Sequence, residues 1–102
     1  MRSGLHALLG IVRRSIRLRP KDAKAYYNRG LAYSEKRDHD KAIADFTAAI
    51  RLDPKYAKAY YSRGAAYSEK SDHDKAEADF AEAKKLGLPS TGKTKWAESH
   101  YG

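Results

Sequence analysis

The chain of 102 residues contains no cysteine. Its absence excludes disulfide staples, thiol nucleophiles and cysteine-held zinc, and in so small a chain it points to a cytoplasmic rather than a secreted setting. Long hydrophobic runs are missing too. The longest, Ala7 to Val12, spans six residues, whereas a helix that crosses a bilayer needs about 20, so no transmembrane segment is expected. Acidic residues are the minority, 13 against 21 Lys and Arg for a net charge of +8. Acidic peptides, nucleic acid and anionic membrane surfaces are therefore all admissible partners. The length fits one domain or part of a repeat array and leaves no room for a second catalytic lobe.

What is present is a repeat. Sliding the sequence by 34 residues lays Ala23 to Tyr56 over Ala57 to Ser90 with 22 of 34 positions identical. A fixed period of this length signals stacked units, each too small to bury its own apolar face. Within each unit the apolar spacing is helical: Tyr26, Gly30 and Tyr33 fall at i, i+4, i+7, and Ala42, Phe46 and Ala49 repeat it. The spacing predicts helices over residues 23–36, 39–52, 57–70 and 73–86. Asp38 is placed to cap the second helix, with Asp40 in its first turn. Pro54 ends that helix, and Gly87 is the expected C-cap of the last.

An aromatic residue, then Gly, Tyr, Ala, Phe, Ala and a closing Pro, on a 34-residue period, resembles the tetratricopeptide repeat. The match runs through Tyr26, Gly30, Tyr33, Ala42, Phe46, Ala49 and Pro54, and again through Tyr60, Gly64, Tyr67, Ala76, Phe80 and Ala83. Arg29 and Arg63 stand where a leucine is common; their stems are expected to pack while the guanidinium reaches water. The resemblance implies an all-α fold, an α-solenoid of antiparallel helix hairpins wound as a right-handed superhelix. Ser15 to Lys21 matches Ala49 to Lys55 in phase, so residues 4–18 read as the second helix of a further, partial repeat. The expected organisation is a partial repeat at 1–22, full repeats at 23–56 and 57–90, and a polar tail at 91–102.

Three possible chemistries fail on context. Gly87 to Thr94 spells G-x-x-x-x-G-K-T, but a phosphate loop needs a strand before it and a helix after it, and here a helix precedes and eight residues follow. His39 and His73 sit in identical Asp-His-Asp turns one repeat apart, on the order of 10 Å or more, too far to share one ion; the turns read as caps with the histidine packing as an aromatic would. No Ser, His and acid have triad spacing, and Asp38 with Asp40 lies in a solvated turn. No catalytic activity, cofactor or metal is expected.

The expected function is protein–protein interaction. Tyr27 and Tyr61 each follow a core tyrosine by one residue and so point about 100° away from the core stripe. In the resembling family the first helices of the repeats line a concave groove that holds peptides. That places Lys24, Tyr27, Asn28, Leu31 and Ser34 from one repeat, and Lys58, Tyr61, Ser62, Ala65 and Ser68 from the next, along the groove. Tyrosine beside lysine suits a ligand offering carboxylates and apolar side chains. The family's clamp for acidic C-terminal tails uses Lys and Asn on these helices; here Tyr27 stands where that clamp has a cation. Leu5, Leu8, Leu9, Val12 and Ile16 form an apolar stripe on the leading helix. That stripe lacks the partner helix of a full repeat, so it is the expected self-association surface of a homo-oligomer. An alternative reading rests on charge: residues 1–22 carry six Lys or Arg against one Asp, which suits nucleic acid or an anionic surface. The chain lacks the variable polar residue once per unit of helical repeats that read RNA. A signal peptide does not fit the first 16 residues, whose short apolar part is followed by Arg13 and Arg14 with no A-x-A site, while an Arg-rich presequence stays open.

Overall fold

A computed structural model describes residues 2–87, with side chains from Ala7 to Gly87. Among these described residues five helices follow in order: α1 (Arg2–Leu18), α2 (Ala23–Glu35), α3 (His39–Leu52), α4 (Ala57–Glu69) and α5 (His73–Lys85). Helices α2, α4 and α5 end one residue before the expected boundary, and α1 starts two residues earlier than expected. Residues 88–102, which include the expected tail and all but the first residue of the phosphate-loop look-alike, lie outside the described residues.

The helix ends follow from local chemistry. Asp22 caps α2, accepting from the backbone N–H of Lys24 at 3.1 Å and of Ala25 at 3.4 Å. Asp38 caps α3 through the Lys41 N–H at 3.3 Å. At the far ends of α2 and α4 the chain reverses through Arg37 (φ 63°) and Ser71 (φ 65°). There the Asp38 and Asp72 N–H groups each reach back to a tyrosine carbonyl, Tyr33 and Tyr67, at 2.9 Å. This six-to-one bond closes the helix without glycine, at a cost of about 1 kcal/mol for the left-handed residue. Gly87 does follow α5 in the left-handed region, at φ 104°, as its sequence position suggested.

Helices α2 and α3 form one antiparallel hairpin, α4 and α5 a second, and α1 lies on α2 as α3 lies on α4. The core is mostly alanine: Ala25, Ala32, Ala42, Ala49, Ala59, Ala66, Ala76 and Ala83 are buried, with Phe46 the one large side chain fully enclosed among the described residues. Small residues bring the backbones close. A Cβ on Gly30 would fall 2.6 Å from Phe46 Cε1, and one on Gly64 2.9 Å from Phe80. The tyrosines expected to fill the interior, Tyr26 and Tyr33, are only half-buried.

The expectation for Arg29 and Arg63 is corrected. Neither guanidinium is free in water. Arg29 donates through Nε and Nη2 to both oxygens of Asp45 at 2.7 and 2.8 Å. Arg63 does the same to Asp79 at 2.8 Å for each bond and adds a third to Thr47 Oγ1 at 3.2 Å. Asp45 and Asp79 are each 5% exposed, and a buried carboxylate needs such a partner. Two tyrosine rings flank each guanidinium at 5.8–5.9 Å, Tyr26 with Tyr33 and Tyr60 with Tyr67. The hydrogen bond to the carboxylate holds each arginine's proton above the usual range, against the desolvation that would loosen it. The aspartate 16 residues after each arginine decides this, because it lies on the opposing helix of the same hairpin.

Candidate peptide-binding face

Helix α2 touches α4, whereas no contact joins α1 to α3 or α3 to α5 among the described residues. The layer therefore curls toward the side of the first helices, and α2 and α4 line the inside of the curve. The clearest side-chain link across it joins Tyr27 Oη and Ser62 Oγ, 3.4 Å apart. Lys24, Asn28, Leu31, Lys58 and Ala65 are exposed beside it, while Ser34, Tyr61, Ser62 and Ser68 are half-buried.

Tyr27 and Tyr61 lean further inward than their helical phase suggested. The Tyr27 ring sits 5.8 Å from Phe46 and 5.1 Å from Tyr56, both tilted, and Tyr61 sits 5.2 Å from Phe80. Each covers its phenylalanine like a lid, so the two tyrosines form the floor of the face rather than its projecting walls. Tyr56, packed against Tyr27, has its phenol pushed above the ordinary range, mainly by burial.

Two residues on this face escaped the reading of the sequence. Glu35 and Glu69 stand 11 residues after Lys24 and Lys58, about three helical turns, and so share their stripe. The face therefore carries lysines at the N-terminal ends of α2 and α4 and glutamates at the C-terminal ends, about 16 Å apart. The signal was the SEK run, which reads as ordinary solvated surface when taken alone. Arg37 sits 3.6 Å from Glu69 and partly offsets it.

Beside the face, at the edge formed by the turns, a cleft of about 490 Å³ is lined by Lys36, Arg37, Asp38, His39, Asp40 and Lys70. Arg37 pairs with Glu69, Asp38 with Lys41 and Lys70 with Asp40, where the hydrogen bond pulls the carboxyl below and pushes the ammonium above their usual values. His39 is half-buried with its Nδ1 enclosed and without a partner, while His73 is exposed. Among the described residues no group of three or more His, Asp or Glu is arranged to hold a metal, and no helix is long and apolar enough to cross a membrane.

On the leading helix the expected self-association stripe divides. Leu9 and Val12 are 3% and 5% exposed and Ile16 is half-buried, all part of the packing that seats α1 on the first hairpin. Leu8 remains 43% exposed. The side chain of Leu5 lies outside the described residues.

Models of the tetratricopeptide repeat family match residues 23–56 and 46–78. Among solved structures, the Arabidopsis OM64 TPR domain is 31% identical, with a TM-score of 0.83, covering 96% of this chain and 80% of that one. MamA from Desulfovibrio magneticus RS-1, residues 41 to the end, is 30% identical with a TM-score of 0.77, covering 81% of this chain and 47% of its own. The chain thus spans about half the length of the MamA structures it resembles. The second TPR of Spaghetti (RPAP3), bound to the HSP90 peptide SRMEEVD, is 29% identical with a TM-score of 0.78, covering 80% of this chain and 76% of that one. No curated protein matches the chain.

Proposed function

The chain belongs to the tetratricopeptide repeat family, and from that premise we propose that it is a non-catalytic interaction module whose α2/α4 face holds an extended peptide. The observation that carries the reading is the polarity of that face: exposed Lys24 and Lys58 at one end, Glu35 and Glu69 at the other, over a tyrosine floor. A peptide laid along it places carboxylates at the lysine end and an apolar side chain over Tyr27, Leu31 and Tyr61. The distance of about 16 Å between the charged ends suits a contact of about five extended residues. The structural neighbour that holds SRMEEVD supports a ligand with acidic residues. Tyr27 in place of a cation separates this face from a dedicated tail clamp, so apolar contact contributes more here.

Selection from a random peptide library against the immobilised chain tests this. Acidic residues should be enriched at one end of the selected peptides, and the enrichment should vanish with the Lys24→Glu, Lys58→Glu double variant. Peptides with no acidic bias, or a bias unchanged by the charge reversal, contradict the reading.

A further inference from the structure

The outer face of α1, away from the α2/α4 face, leaves large apolar side chains exposed. In register with the repeats, Leu8, Ile11 and Ser15 of α1 occupy the places of Ala42, Asp45 and Ala49 in α3 and of Ala76, Asp79 and Ala83 in α5. All six of those counterparts are buried, and both aspartates are paired to the first helix of their own hairpin. Leu8 and Ile11 are 43% and 67% exposed. They face outward where a first-type helix lies in the two complete hairpins, and no helix among the described residues covers them. The opposite end of the stack looks different. There Glu77 and Lys84 of α5 replace Ile43 and Ile50, and both are exposed.

The residues also say what fits. Where α3 and α5 carry aspartate, α1 carries Ile11, so the covering helix must bring an aliphatic residue where α2 and α4 bring Arg29 and Arg63. In a second copy Arg29 and Arg63 are already held by Asp45 and Asp79 of their own hairpins, so the stripe of α2 or α4 that would meet Ile11 is occupied. Pairing of two α1 helices opposes Arg13, Arg14 and Arg17 of one to those of the other, with no acidic residue on either helix to offset them. Arg14, exposed beside Ile11 and Leu18, favours a partner with an acidic flank. We propose that α1 docks an amphipathic helix from another polypeptide, one with an aliphatic residue opposite Ile11 and acidic residues along the edge that meets Arg14 and Arg17.

The probe is a lactam-bridged helical peptide with the sequence of residues 23–36, made in native form and with Arg29→Leu. The Arg29→Leu peptide should bind the full chain at least tenfold more tightly than the native peptide, and amide shifts should map to residues 7–18. In the Ile11→Asp chain the preference should reverse, because the paired arginine and aspartate of the repeats are restored. Equal binding of the two peptides, or an unchanged preference in Ile11→Asp, overturns the proposal. So does a dimer in sedimentation that Ile11→Glu dissociates, which makes a second copy the occupant. Binding to phosphatidylserine vesicles that Ile11→Glu abolishes overturns it in favour of a membrane. Because the test reads α1 alone, failure of the peptide face leaves it standing, and the reverse also holds.

Discussion

The two full repeats share 22 of 34 residues yet do not share an environment. In the first, Phe46 is fully buried; in the second, Phe80 is only half-buried, and no helix among the described residues packs on the far side of α5. His39 is half-buried and His73 exposed. Asp38 caps its helix with its side chain, while the equivalent Asp72 makes no such bond. The ion pair inside each hairpin is the same, but Arg63 reaches on to Thr47 of the preceding repeat, whereas the residue 34 before Thr47 is Arg13, which cannot accept a bond from Arg29. Identical residues thus do different amounts of work according to what lies on their open side, as expected where stability is a sum of units and their interfaces.

The largest expected gap between the repeats is at the phenylalanines. Phe46→Ala should cost about 3–5 kcal/mol and Phe80→Ala about half that, measured by urea unfolding with helix content as the probe. Equal costs would break the comparison. Next come the arginines. Arg29→Ala and Arg63→Ala each strand a buried carboxylate, costing about 3–5 kcal/mol, and Arg63→Ala should cost about 1 kcal/mol more for the lost bond to Thr47. The Arg63→Ala, Asp79→Ala double variant should recover part of that loss; a strictly additive result would remove the ion pair from the explanation.

Smaller still is the difference at the glycines. Gly30→Ala forces the enclosed Phe46 ring to shift, at about 1–3 kcal/mol, and Gly64→Ala should cost less because its Cβ meets the half-buried Phe80 ring at 2.9 Å rather than 2.6 Å, although the Ala76 carbonyl at 3.1 Å keeps a cost there too. Equal melting temperatures for the two variants would contradict this. The smallest effect is at Asp40, whose pair with Lys70 joins the repeats at a fully exposed edge. Its carboxyl is held below the ordinary aspartate value by that hydrogen bond, so its contribution is present above the ordinary value and fades as pH falls through the lowered one. Asp40→Asn should therefore barely move the melting temperature at neutral pH, and not at all in acid. A marked drop at neutral pH would assign the edge pair a larger part in the stack.

Most of the architecture was legible because it rests on local rules repeated twice: a period of 34, a small residue facing Phe46 or Phe80, aspartates before α2 and α3, a glycine after α5. The Arg29–Asp45 pair was not read, since a lone arginine in a leucine position looks like a snorkelling side chain until the opposing helix is placed. Its signal lay in the 16-residue spacing kept in both copies. Phase pointed Tyr27 and Tyr61 about 100° away from the core stripe, but a ring reaches beyond its Cβ direction, and only packing shows it closing over phenylalanine. Likewise Leu9 and Val12 differ from Leu8 and Ile11 only in which neighbour covers them, which periodicity on one helix does not contain.

The polarity of the α2/α4 face is tested most directly by an amide chemical-shift map of the chain with the tightest peptide from the library selection. Shifts confined to residues 24–35 and 58–69, with a spin label on the peptide's acidic end broadening the amides near Lys24 and Lys58, are the predicted result. Shifts concentrated on α3 and α5, or a label that broadens the Glu35 and Glu69 end instead, would contradict it.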